Sequence, residues 1–184
     1  MRIIDLRPEA EDIIKQTAKV LVEGFAVHSP QAYPDLDIAL EEVRESLGEG
    51  RISRIALDED GTVLGWIGAI SQYSGHVWEL HPLVVNRQHQ RKGIGRALVT
   101  DLEARVRERG GLTITLGTDD EDAQTSLSGI NLYPNVWEHI AQIKNLKSHP
   151  YEFYQKLGYV IVGVVPDANG MGKPDILMAK PVAQ

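Results

Sequence analysis

Polar and apolar positions along the chain change period several times, and each change marks an element. Arg2 to Leu6 is short and apolar-rich and predicts a first strand. Pro8 suits a helix start, where its missing N–H costs little. Ile13, Thr17 or Ala18, Val20, Leu21 and Gly24 recur at helical spacing and predict a helix over about 9–24. His28 to Asp37 contains Pro30 and Pro34 and reads as a loop. Ile38, Leu40, Val43 and Leu47 predict a second helix, stopped by Gly48 and Gly50. Ile52 to Leu57 alternates as a strand, turns at Asp58-Glu59-Asp60-Gly61, and returns as a β-rich strand over Thr62 to Ile70. Val77 to Val85 is a further strand. Ile94, Ala97, Leu98, Leu102 and Val106 mark a helix ending at Gly110-Gly111, and Leu112 to Leu116 is a buried strand.

A polar segment over 117–131 then leads to predicted helices near 135–146 and 149–157. Tyr159 to Val165 and Asp175 to Lys180 close the chain as two strands around the turn-rich Pro166 to Pro174. The order β-α-α-β-β-β-α-β-α-β-β implies an α/β fold with a mixed sheet and helices on its faces. No repeat or linker divides the 184 residues, so one domain over 1–184 is expected.

Composition narrows the partners. Nineteen Lys and Arg against 26 Asp and Glu give a net charge of −7, which argues against nucleic acid and favours cationic ligands. With no cysteine, disulfides, a thiolate nucleophile and a cysteine-based metal site are excluded. The six histidines show no H-E-x-x-H, and His76 and His81 are expected on opposite strand faces, so no metal is expected. No apolar run reaches the roughly 20 residues of a membrane span. A soluble cytoplasmic protein is the expectation.

The most informative segment is His89-Gln90-Arg91-Lys92-Gly93-Ile94-Gly95-Arg96-Ala97-Leu98. It connects a strand to a helix through two glycines. Helix-start amides are unpaired and favour an anion, and the glycines let one approach closely. Arg91, Lys92 and Arg96 add positive charge. A P-loop needs different glycine spacing and a Lys-Ser/Thr, and a dinucleotide fingerprint needs glycine where Leu98 stands. A coenzyme A pyrophosphate remains as the common ligand of such a loop.

Gln90-Arg91-Lys92-Gly93-Ile94-Gly95 resembles the acyl-CoA signature of the GNAT superfamily of N-acetyltransferases. Trp78 to Val85, Leu116 to Asp120, His149 to Tyr159 and the Pro166 to Ile176 tail are similar to the chromosomally encoded aminoglycoside 6′-N-acetyltransferases. The likeness covers roughly 50–180; residues 25–37 are longer than the subgroup pattern. It implies a central, mostly antiparallel sheet with a splayed strand pair, acetyl-CoA as cosubstrate, and a homodimer. It also implies that loop amides over 91–96 hold the pyrophosphate. Leu83, Val84 and Val85 would pair with the pantetheine arm, and the Leu83 N–H would face the oxyanion.

Acetyl transfer to an amine needs a proton acceptor, an oxyanion donor and help for the departing thiolate. Glu79 lies four residues before Leu83, so strand alternation puts both on one face and makes Glu79 the proton acceptor, through water. Tyr154 is matched to the thiolate end. A phenol near pKa 10 facing a thiol near 8.5 would transfer its proton uphill by roughly 2 kcal/mol, so hydrogen bonding is its expected contribution. Aminoglycosides are polycations, and carboxylates away from the reacting carbon should hold their other amines. Asp119-Asp120-Glu121-Asp122 reads as such an edge, with Asp119, Asp122, Glu138 and Glu79 as substrate contacts and Tyr73 as a ring platform. A polyamine, another small amine or a protein N-terminus is an alternative acceptor, and a silent acyl-CoA sensor is the alternative class.

Overall fold

The alternating and helical patterns fold largely where they predict. The computed structural model describes residues 1–183. The elements are β1 (Arg2–Asp5), α1 (Glu11–Phe25), α2 (Leu36–Glu45), β2 (Arg51–Leu57), β3 (Val63–Gln72), β4 (Val77–Val85), α3 (Ile94–Glu108), β5 (Thr113–Asp119), α4 (Val136–Ala141), α5 (Tyr151–Gln155), β6 (Val160–Val165) and β7 (Asp175–Pro181). The seven strands follow the order β1-β2-β3-β4-β5-β7-β6. The pairs β1/β2, β2/β3, β3/β4 and β6/β7 are antiparallel. This is the mixed α/β architecture that the element order implies, with the mostly antiparallel sheet that the resemblance implies. Among the described residues no helix is long and apolar enough to cross a membrane.

Three expectations are corrected in detail. Pro8 lies in a turn, and α1 begins at Glu11 after the Ala10 N–H bonds the Arg7 carbonyl. The helix predicted over 135–146 stops at Ala141. The Lys144 N–H goes instead to the Ser126 hydroxyl and the Leu146 N–H to the Gln124 carbonyl, tying that stretch to the polar loop. The helix predicted over 149–157 spans only Tyr151–Gln155: the ring of Pro150 disfavours helical backbone at His149, and Gly158 turns left-handed after the last turn.

Contacts group the chain into two compact units, Met1–Ile114 with the tail from Val182, and Thr115–Pro181. In the first, Ile14, Leu21, Ile55, Trp66 and Val84 belong to one buried apolar cluster. Two polar ties fix it. The Trp66 indole N–H bonds the Ser53 hydroxyl at 2.9 Å, and Ser53 bonds Ser46 at 2.9 Å. Arg54, buried on β2, pairs with Asp5 at 2.6 Å and forks onto Asp101 of α3 at 2.7 and 3.1 Å. Stripping one partner from such a pair strands a buried charge and costs about 3–5 kcal/mol. It therefore anchors the helix whose first turn carries the glycine loop.

In the second unit β6 and β7 form a hairpin with an irregularity between Ile161 and Gly163. Leu116, Leu127, Leu132, Tyr151, Tyr159, Ile176 and Met178 are buried there.

Candidate active site

Strand β4 gives the first unit its chemistry. Trp78, Leu80, Pro82 and Val84 are buried, whereas Glu79, His81, Leu83 and Val85 are at least partly exposed. The alternation places Glu79 and Leu83 on the expected common side. Between them the pairing slips: Ala69 opposes Leu80 and Ile67 opposes Leu83, so His81 and Pro82 together face Gly68. This is a β-bulge, the device that re-aims backbone groups within a sheet. Its tightness shows at Gly68, where a Cβ would sit 2.4 Å from the His81 carbonyl oxygen. Glu79 accepts a hydrogen bond from the Gln72 side-chain amide, which orients the carboxylate.

His81 acquires a partner that the sequence does not announce. Its Nε2 lies 3.3 Å from the Tyr33 hydroxyl and 3.8 Å from Glu42. Tyr33 is buried, packs edge-on against Phe25 at 5.0 Å, and belongs to the long segment 25–37. Burial first, then the Glu42 charge, push its phenol well above the usual tyrosine range. Tyr33 thus stays protonated and can donate to His81. The aromatic pair Phe25 and Tyr33, flanking a short loop of small and polar residues with one proline, is the signal that could have revealed this.

The glycine loop is reached through a 3₁₀ turn at Arg87–His89, capped by the Asn86 side chain, which accepts from the Gln88 N–H at 3.0 Å. Gln90 bonds back to the Val85 carbonyl at 3.3 Å. Arg91 and Gly93 both have left-handed φ, 60° and 83°. Gly93 is the N-cap of α3, and no side chain caps that helix end. A Cβ at Gly93 would meet nothing within 4 Å, so the approach to the amides of Ile94, Gly95 and Arg96 is open. Arg91, Lys92 and Arg96 are exposed around it. The donor set fits an anionic pyrophosphate: unpaired amides, a helix dipole and three cations. α3 itself seats closely on the sheet at Gly65, where a Cβ would lie 2.8 Å from the Val84 carbonyl oxygen and 3.1 Å from Leu98. Tyr73 is 75% exposed on the turn between β3 and β4, also with positive φ.

The second unit carries the remaining residues. Tyr154 is buried on α5, its ring 5.1 Å from Phe153 and 5.7 Å from Tyr159 in edge contacts. Desolvation pushes its phenol far above the ordinary value, so it is a neutral donor. Asp119 is exposed and accepts from the Asn169 amide. Asp122 and Glu138 are exposed, the latter 3.4 Å from Gln142.

The acidic run is not a uniform edge. Asp120 is fully buried and accepts from the N–H groups of Gln124 (2.6 Å) and Thr125 (2.8 Å) and from the Thr125 hydroxyl (2.7 Å). Burial pushes its carboxyl up, yet the donors of Gln124, Thr125 and Ser128 outweigh this and hold it below the ordinary range. Asp120 organises the loop and is not available to a cation. Among the described residues, no group of three or more His, Cys, Asp or Glu is placed to hold a metal ion.

A bulged strand leading into an uncapped, glycine-opened helix start makes an anion site, and the chain belongs to the acetyltransferase (GNAT) family, whose model matches residues 17–133. Solved structures narrow the likeness. The chain is 43% identical to an aminoglycoside 6′-N-acetyltransferase complexed with coenzyme A, with a TM-score of 0.91 over 100% of this chain and 98% of the other. It is 43% identical to the aminoglycoside 6′-N-acetyltransferase from Enterococcus faecium, with a TM-score of 0.89 and the same coverage. An aminoglycoside 6′-acetyltransferase type Ii is 40% identical, with a TM-score of 0.78 over 100% and 99%. No curated protein matches the sequence.

Proposed function

We propose that the chain transfers the acetyl group of acetyl-CoA to the 6′-amino group of aminoglycosides. The observation that carries this reading is the whole-chain 43% identity to solved enzymes of that activity, one of them complexed with coenzyme A. The residues present can perform each step. The amides and cations of Gln90, Arg91, Lys92, Gly93, Ile94, Gly95 and Arg96 hold the pyrophosphate, and Leu83, Val84 and Val85 offer strand backbone to the pantetheine. The acceptor amine attacks the thioester carbon, a C–N bond forms, and the carbonyl oxygen becomes an oxyanion. The Leu83 N–H, next to the bulge, is the donor for that charge. Glu79 accepts the proton leaving the amine, through water. As the C–S bond breaks, Tyr154 hydrogen-bonds the departing sulfur. Its raised pKa makes complete proton transfer less favourable still than an unperturbed phenol would, so donation without early transfer is its role.

Asp119, Asp122 and Glu138 are cation contacts for the acceptor's other amines, and Tyr73 offers an exposed ring. Asp120 is excluded from this set by burial. The deciding experiment follows free-thiol release from acetyl-CoA with paired 6′-amino and 6′-hydroxy aminoglycosides, polyamines and peptide N-termini. Turnover of the 6′-amino compounds, with about a hundredfold or greater loss on 6′-hydroxy analogues, is expected from a site built around an amine nucleophile. Turnover confined to polyamines or peptides would overturn the acceptor assignment.

A further inference from the structure

One imidazole in the second unit joins the end of β5 to the start of α5. His149 is 1% exposed, and both ring nitrogens are engaged. Nδ1 lies 3.2 Å from the Tyr151 backbone nitrogen, and Nε2 lies 3.0 Å from the Asp119 carbonyl oxygen. A backbone N–H can only donate and a carbonyl can only accept. Nδ1 is therefore the bare acceptor, Nε2 carries the proton, and the ring is neutral in a single tautomer. Its backbone is clamped as well. The His149 N–H donates to Asn145 Oδ1 at 2.7 Å, and its carbonyl accepts from Asn145 Nδ2 at 3.0 Å.

This tie matters because α5 is only five residues long and no side chain at its N-cap, Pro150, bonds its first amides. A helix so short is not held by its own hydrogen bonds. The Tyr151 N–H is one of its orphan donors, and the His149 ring supplies the missing acceptor from outside the helix. Tyr154 sits one turn further along.

We propose that His149 is a positioning residue for Tyr154: its imidazole fixes the start of α5 against the Asp119 carbonyl and so sets where the phenol hydroxyl lies. This rests on the reading of Tyr154 as the hydrogen-bond donor to the departing sulfur. The effect should appear in kcat and at the leaving group, not in substrate binding.

The test compares His149→Asn, His149→Gln and Tyr154→Phe, each checked for folding by thermal melting. Asparagine keeps an acceptor near the Nδ1 position but gives up the Asp119 carbonyl, and should lose about threefold in kcat, whereas glutamine leaves the buried Tyr151 N–H unserved and should lose about tenfold or more. KM for acetyl-CoA and for the acceptor should stay near wild type in both. With an acetyl thioester of a more acidic thiol, whose sulfur needs less help, the His149→Gln and Tyr154→Phe losses should shrink together. The double variant should be no slower than Tyr154→Phe alone. If Tyr154→Phe is impaired while His149→Gln turns over like wild type, the positioning role falls and the Tyr154 reading stands. Equal losses with both thioesters in His149→Gln would also overturn it. Wild-type kcat in Tyr154→Phe would remove the Tyr154 reading and the proposal with it.

Discussion

Glu79 and Asp120 are both carboxylates in an acidic protein, and their surroundings give them opposite tasks. Glu79 is partly exposed beside a bulge with one side-chain amide on it, so it can still take up a proton. As a general base it takes the proton that the amine loses on attack. Glu79→Gln should lower kcat/KM by about a hundredfold, within the usual range for a general base. A variant that keeps the wild-type kcat/KM would remove Glu79 from the chemistry. Asp120 is spent on structure. Its carboxyl is held below the ordinary value, so the native state favours the charged form. The resulting stability is present above the unfolded pKa near 3.9 and is lost as pH falls through the folded value. Asp120→Asn should destabilise the protein by about 2–4 kcal/mol at neutral pH, and by progressively less on acidification. Urea midpoints measured from pH 7 to pH 3 that stay in parallel for the two proteins would contradict this. Asp120, one residue past the end of β5, continues the parity of Ile114 and Leu116, which are buried on that strand.

At the scale of elements, what could be read in advance followed from periodicity. β4 and α3 form at their expected starts because a two-residue period and a helical period meet abruptly at the Asn86–Gly93 turn. The sequence beyond α4 and before α5 is helix-compatible, but side chains outside these helices, Ser126 and Asn145, take the N–H groups of Lys144 after α4 and His149 before α5. The bulge was not legible, since alternation of buried residues survives it; only the close approach at Gly68 exposes it. The same limit hid the His81–Tyr33 and His149–Asp119 contacts, which join residues that no spacing rule connects. Two glycines make the distinction measurable. Gly93→Ala meets empty space and only a left-handed φ, so it should cost about 1 kcal/mol and act mainly on KM for acetyl-CoA. Gly68→Ala drives a methyl into the His81 carbonyl, so the bulge must shift, costing about 1–3 kcal/mol or more and lowering kcat. Chemical denaturation and steady-state kinetics of the pair would refute this ordering if Gly93→Ala proved the more damaging for stability.

Across the whole molecule, the two substrates meet opposite electrostatic fields. A net charge of −7 attracts a polycationic acceptor from a distance and repels the anionic cosubstrate. The cosubstrate is drawn in only locally, by Arg91, Lys92 and Arg96 around the start of α3. Added salt screens both fields, because the Debye length shrinks from about 10 Å at 0.1 M to about 3 Å at 1 M. For the acceptor every term in the proposed binding mode weakens in the same direction: the overall attraction and that of the exposed carboxylates Asp119, Asp122 and Glu138. For acetyl-CoA the loss of local attraction is offset by the loss of long-range repulsion. Raising NaCl from 0.05 to 0.5 M should therefore increase the acceptor KM by roughly tenfold while moving the acetyl-CoA KM by only about two- to threefold. Neutralising Asp119, Asp122 and Glu138 together should raise the acceptor KM at low salt and remove most of its salt dependence. Equal salt slopes for the two substrates would mean that the acidic surface serves solubility alone, and the amines of the acceptor would then have to be held by uncharged groups.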